Sequence, residues 1–233
     1  MKYQEFAKIL KNNIDSGIYQ ESEKLPTEDE LIAEYNVTRY CVRNAVNVLV
    51  DMGCIYSVQG SGIFVRKSNR EGCLNASATK GFSAEYSNKE VKTKVIDFEV
   101  ISADEDLSER MKCKLGTMIY YIVRLRIIDG VNFAVEYNYY NKEIIHYMNK
   151  EIAEGSLYSY VTNDLGLNIG FADKIILSDK LNKEDSKLLK LEEGDPALIV
   201  MDDSYLSNGL MFATSNVIYN YKYAKVFNLA TMK

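Results

Sequence analysis

The tightest constraint in this chain is the stretch from Thr27 to Thr38, which starts a helix, stops it and starts another. Thr27 can accept from the backbone amide of Glu30 while the Glu30 carboxylate reaches back, a capping box, and Glu28-Asp29-Glu30 suits the positive end of the new helix. That helix runs to about Tyr35. Asn36 can take the left-handed conformation that turns the chain, Val37 can plug the turn, and Thr38 caps a further helix reaching about Met52 before Gly53. Two short helices joined by so tight a turn must cross and share a core. An earlier amphipathic segment, 3–17, with Phe6, Ile9, Leu10 and Ile14 at helical spacing, supplies a third helix to pack on them.

On the helix after Thr38, Val42, Ala45, Val46 and Leu49 form one apolar stripe, while Arg39, Tyr40, Arg43 and Asn47 lie on or near the opposite face. Arg39 and Arg43 are four apart and project side by side from the first turns, the end that usually enters the major groove of DNA. Cys54–Val58 and Ile63–Arg66 then read as two short strands around Gln59-Gly60-Ser61-Gly62. Three helices and a hairpin make a winged helix-turn-helix, and the glycines let backbone approach a groove or phosphate closely.

Charge alone does not suggest DNA binding. The net charge is −5. Residues 1–70 carry nine Lys/Arg and nine Asp/Glu, so the acidic excess lies in the second half and the first half binds phosphate only if its cations converge on one face.

These residues resemble the GntR family of bacterial regulators. Leu25-Pro26-Thr27-Glu28, Val37-Thr38-Arg39, Val42-Arg43 and Gly60-Ser61-Gly62-Ile63-Phe64-Val65 match its characteristic run in order and spacing. The resemblance implies that Thr38, Arg39 and Arg43, with Tyr40 beside them, contact DNA from the recognition helix, and that Gly60, Ser61 and Gly62 form the wing tip in or beside the minor groove. The chain departs from the family at Asp29, often an arginine there, and at Tyr40 and Cys41, often small hydroxyl residues. Lys2, Lys8, Lys24 and Lys67 are candidate cations to compensate for the acidic Asp29.

From 68 to 80 periodicity fades into Ser, Asn, Gly and Ala, which reads as a linker between a DNA-binding domain, 1–67, and a second domain, 81–233. The second domain reads as a strand near 91–102, a short helix near 105–113, paired strands at 117–128 and 133–140, and a helix near 156–164. A strand near 168–179, a helix near 182–191 and strands at 197–206 and 210–219 around Ser207-Asn208-Gly209 complete it. Consecutive hairpins indicate an α+β domain on an antiparallel sheet. This order resembles the UTRA effector domain of the HutC subfamily of GntR regulators, which has a chorismate lyase-like fold. The matches are Arg124-Leu125-Arg126, Glu136 in Phe133-Ala134-Val135-Glu136, and Gly155-Ser156-Leu157-Tyr158.

Arg124 and Arg126, two apart on a strand, point to one face, and side by side they repel unless an anion lies between them. Ser156 and Tyr158 can add hydroxyl donors near a helix start whose amides also favour an anion. Glu136 depends on register. A two-residue Asp129-Gly130 turn puts Arg126 across from Phe133 and Glu136 on the other face, whereas a three-residue Gly130-Val131-Asn132 loop puts Arg126 opposite Glu136. The resemblance favours the second. In sugar-phosphate-responsive relatives a glutamate on the penultimate strand binds the sugar, with a tyrosine six residues later; here these positions are Ala213 and Tyr219. Phe82 and Ser83 match the region that closes over the ligand, making Ser83 a further candidate contact.

The resemblance therefore implies a transcription regulator, a repressor by family default, whose partners are double-stranded operator DNA, a small anionic effector such as a phosphorylated sugar, and a second copy of itself in a homodimer. Two rival readings are an enzyme of chorismate lyase-like fold and a sugar-phosphate-binding module with a degenerate DNA-binding domain. The lone His146 has no cysteine or carboxylate partner in a catalytic pattern, so no enzyme activity is expected. The four cysteines form no C-x-x-C pair, and neither metal nor cofactor is expected. No stretch approaches the roughly 18 apolar residues of a spanning helix and Met1-Lys2-Tyr3-Gln4-Glu5 opens no signal peptide, so the expected location is the cytoplasm, away from membranes.

Overall fold

The computed structural model describes residues 1–19, 22–66, 73–75, 86 and 89–228. It divides into two compact units, Met1–Arg70 and Glu71–Lys233. In the first, α1 (Tyr3–Asp15), α2 (Glu28–Tyr35) and α3 (Arg39–Asp51) are followed by the hairpin β1 (Ile55–Val58) and β2 (Gly62–Val65). The caps are those read from the residues. Thr27 accepts from the Glu30 amide while Glu30 reaches back, Asn36 is left-handed at φ 49°, and Thr38 accepts from the Cys41 amide. Phe6, Leu10, Leu31, Val42, Ala45, Leu49 and Ile55 are buried together, and Val37 plugs the turn between α2 and α3. Lys24 bridges to Phe64, and the Leu25 amide donates to Ile63, so the segment before α2 is bound along the outer strand of the hairpin.

In the second unit, β3 (Cys73–Asn75) precedes β4 (Val91–Ser102), α4 (Glu105–Arg110), β5 (Met118–Ile128) and β6 (Val131–Asn141). Next come α5 (Lys150–Glu154), α6 (Leu157–Ser159), β7 (Ile169–Lys180), α7 (Lys183–Leu189), β8 (Pro196–Leu206), β9 (Met211–Asn220) and β10 (Lys225–Phe227). Two meanders, β4-β5-β6 and β7-β8-β9, join through β6 and β9 into one six-stranded antiparallel sheet of order β4-β5-β6-β9-β8-β7. One face packs Tyr120, Ile122 and Tyr140 with Ala153, Leu157 and Val161 from the α5–α6 region. The other packs Val123, Leu125 and Val135 with Leu181 and Leu189 at α7. Among the described residues no helix is long and apolar enough to cross a membrane.

Three expectations are corrected. The helix expected over 156–164 is a three-residue turn, α6, running into a π-helical turn, Tyr160–Asp164, closed by the Leu165 amide donating to the Tyr160 carbonyl. It has no helical length to lend its amide end much dipole. The expected linker contains β3, which pairs in parallel with β10. The turn between β5 and β6 is the two-residue one, with Asp129 at φ 49° and Gly130 at φ 80°, the twisted turn that suits a hairpin. A bulge then places Ile127 opposite Asn132 but Arg126 opposite Ala134, so Phe133 is an extra residue. That single insertion returns Glu136 to the arginine face, directly across from Arg124 rather than Arg126.

Candidate functional site

The recognition helix presents its two arginines outward, and both are held by α2. The Arg39 Nη2 atom lies 2.6 Å from Asp29 Oδ1 and its Nη1 3.5 Å from Glu28 Oε2, while Arg43 Nε lies 3.1 Å from the same Glu28 oxygen. Both guanidinium groups remain more than half exposed, so these pairs orient the side chains without removing them from water. Tyr40 is 73% exposed beside them, an aromatic surface with no burial to explain it. Thr38 is exposed and uses its oxygen as a cap acceptor, which leaves its hydroxyl proton available to a phosphate.

The wing follows from the hairpin. Gly60, at φ 75°, has open space where a side chain would be, and Ser61 is exposed with its amide bonded back to Val58. Gly62 is needed at φ 116°, and the Lys24 side chain lies against it and over the Phe64 ring, 5.7 Å from the centroid. Phe64 in turn stacks on Tyr56. Lys24 thus adds a cation to the wing. The sequence signal for this place is its position one residue before Leu25, whose backbone pairs with β2.

In the second unit the sheet face under α6 holds a polar cavity of about 100 Å³, room for several waters or a small polar ligand. Arg124, Arg126, Glu136, Ser156, Tyr158 and Tyr219 all line it. Ser83, with Phe82, lies outside the described residues. Arg124, Arg126 and Glu136 are each at least 90% buried, which charged side chains avoid unless paired. Arg124 Nη2 lies 2.5 Å from Glu136 Oε2, and Arg126 Nε 3.8 Å from Oε1. Arg124 also donates through Nη1 to the carbonyls of Ala153 and Gly155, which ties the strand to the segment leading into α6. Burial lowers the pKa of Arg126, with Glu136 opposing and Arg124 adding to the effect. Two guanidinium groups share one carboxylate at the edge of a cavity, so the group carries surplus positive charge.

The cavity also takes in residues the sequence reading missed: Asn138, Lys174, Asp202, Ser204 and Ser215. Ser204 Oγ donates to Asp202 Oδ1 at 2.7 Å and lies 2.8 Å from the Tyr158 hydroxyl, while Lys174 Nζ is 3.8 Å from Asp202 Oδ2. Burial raises the pKa of Asp202, against the Ser204 hydrogen bond and Lys174. A weak signal was present: on β8 the face carrying Leu198 and Val200 also carries Asp202 and Ser204, charged and polar residues on an otherwise apolar stripe. Ala213, where the resemblance leads one to look for a glutamate, does line the cavity. Among the described residues no cluster of His, Cys, Asp and Glu could hold a metal, and no disulfide joins the cysteines.

Two family models match the chain: bacterial regulatory proteins of the gntR family over residues 2–65, and the UTRA domain over residues 87–225. The chain is 34% identical to the HTH-type transcriptional regulator YydK of Bacillus subtilis over 95% of its length and 94% of YydK. The crystal structure of YydK superposes with a TM-score of 0.85 at 31% identity, covering 99% of this chain and all of that one. This chain is 32% identical to the HTH-type transcriptional regulator TreR of B. subtilis, over 91% of each. The structure of the effector-binding domain of TreR, the trehalose repressor, superposes at a TM-score of 0.56 and 26% identity over 61% of this chain and 99% of that domain. These relatives are transcription regulators rather than enzymes.

Proposed function

We propose, for a chain that belongs to the GntR family of bacterial regulatory proteins and is a transcription regulator with a UTRA effector domain, that it represses transcription until a phosphorylated sugar enters the second-unit cavity. The observation that carries the effector half is the buried trio of Arg124, Arg126 and Glu136. Two cations and one anion beside an open polar cavity leave a charge that a phosphate would neutralise through charge-assisted forks. Ser156, Tyr158 and Tyr219 would add donors around it, with Ser83 a further candidate.

The DNA half of the proposal assigns Arg39, Arg43, Thr38 and Tyr40 to the major groove and Gly60, Ser61 and Gly62, with Lys24, to the wing contact. The proposed division is DNA-binding residues 1–67 and effector-binding residues 81–233, with 68–80 between them contributing β3 to the second unit. Two copies associating through their second domains would present two recognition helices to a two-fold-related operator in the cytoplasm. The effector acts if it binds more tightly to the arrangement that fits DNA poorly.

A thermal-shift panel tests the effector reading, because a ligand that binds only the folded state raises its stability. Hexose 6-phosphates and trehalose 6-phosphate should raise the melting temperature of the wild type, their unphosphorylated parents should not, and Arg124→Ala with Arg126→Ala should erase the shift. A shift that survives both replacements would remove the arginines from the site.

A further inference from the structure

The cavity has a second pole that the phosphate reading leaves unused. Strand pairing aligns Lys174, Asp202, Ser215 and Asn138 in one row across β7, β8, β9 and β6. Asp202 stands three strands across and two residues along from Arg124, about 16 Å between backbones at ordinary strand spacing and rise. Both side chains line the same cavity. Between the poles the wall is Val217 and Val200, an apolar floor of the kind that suits the C–H face of a sugar ring.

The chemistry of this pole differs from the first. A carboxylate offers about four acceptor positions. Ser204 takes one on Oδ1, and Lys174 approaches Oδ2 at 3.8 Å, too far for a direct hydrogen bond. The Tyr158 hydroxyl hydrogen-bonds Asp202 and lies 2.8 Å from Ser204 Oγ, so it belongs to this pole. An acidic group would repel a phosphate and accept from hydroxyls, which fixes the orientation of a ligand carrying both.

We propose that Asp202, presented by β8 with Ser204, is the group that reads the hydroxyl end of the effector, whose phosphate lies at Arg124 and Arg126. The inference rests on the phosphorylated-sugar reading and specifies it. The ligand is a polyhydroxylated phosphate with donors at the end remote from its phosphate, and Asp202 supplies the carboxylate that Ala213 lacks.

The test is calorimetric titration of the full chain with inorganic phosphate and with the panel of hexose 6-phosphates and trehalose 6-phosphate. Wild type should bind at least one sugar phosphate more tightly than inorganic phosphate. Asp202→Asn should cut that sugar's affinity by about tenfold or more, as for a hydrogen bond to a charged group, and leave inorganic phosphate within about twofold. Ser204→Ala, a gentler change, should lose a smaller part of the same increment, and melting curves without ligand report whether either variant folds. A sugar increment that persists in folded Asp202→Asn overturns the assignment, as does a wild type that binds inorganic phosphate as tightly as every sugar phosphate. Failure of the wild type to bind phosphate or any panel member overturns the effector reading itself.

Discussion

Asp29 holds Arg39 by an ion pair of 2.6 Å, so one of the residues that depart from the family pattern is bound to the first arginine of the recognition helix. The pair is solvent-exposed, and such pairs contribute about 0.2–1 kcal/mol. DNA phosphates must compete with Asp29 for the same guanidinium. Asp29→Asn should therefore tighten binding to duplex DNA by up to about fivefold and steepen the dependence of log K on log salt by up to about one phosphate contact. Arg39→Ala should do the reverse. Salt titrations of both variants check this, and an unchanged slope in Asp29→Asn would mean that Arg39 does not reach phosphate.

Glu136 is the only carboxylate that the ion pairs of Arg124 and Arg126 share among the described residues. Removing one partner of a buried pair strands the other and costs about 3–5 kcal/mol. Glu136→Gln should lower the melting temperature of the ligand-free chain by several degrees. Because the arginines then lack their counter-ion, inorganic phosphate should raise the melting temperature of the variant more than that of the wild type. Equal shifts would separate Glu136 from the anion site.

Glu30 gives the first unit a pH signature. Hydrogen bonds from the Thr27 backbone and hydroxyl hold its pKa below the ordinary 4.5. A folded value below the unfolded one means that the ionised carboxylate stabilises the fold fully above 4.5, and that this contribution disappears as pH falls through the lowered value. Glu30→Gln should flatten the acid limb of the stability profile of residues 1–70, measured by denaturant melts from pH 7 downward. An acid limb of unchanged slope would remove the capping box from the account.

What the residues disclosed in advance was what local chemistry fixes. Thr27, Asn36 and Thr38 act on neighbours three or fewer positions away, so their helices start and stop where the side chains dictate. Arg124 and Arg126 share a face because a strand alternates. The bulge at Phe133 was not legible, because the extra residue is accommodated by packing against Tyr86 and Tyr219, which lie far off in sequence. Asp202 and Lys174 meet only through the register of β7 on β8, and Lys24 reaches the wing only through the pairing of its segment with β2. The π-helical turn after α6 likewise escapes a reading based on helical periodicity, since its hydrogen bond spans five residues.

The most direct test of the central claim begins with duplexes enriched from a random pool by the full chain. The enriched duplex is titrated at fixed salt beside a scrambled one, with and without the sugar phosphate that gives the largest thermal shift. The account predicts two related half-sites, affinity at least about a thousandfold above the scrambled duplex, and loss of that preference when the ligand is present. Equal affinity for enriched and scrambled DNA, or a preference indifferent to the ligand, would contradict it.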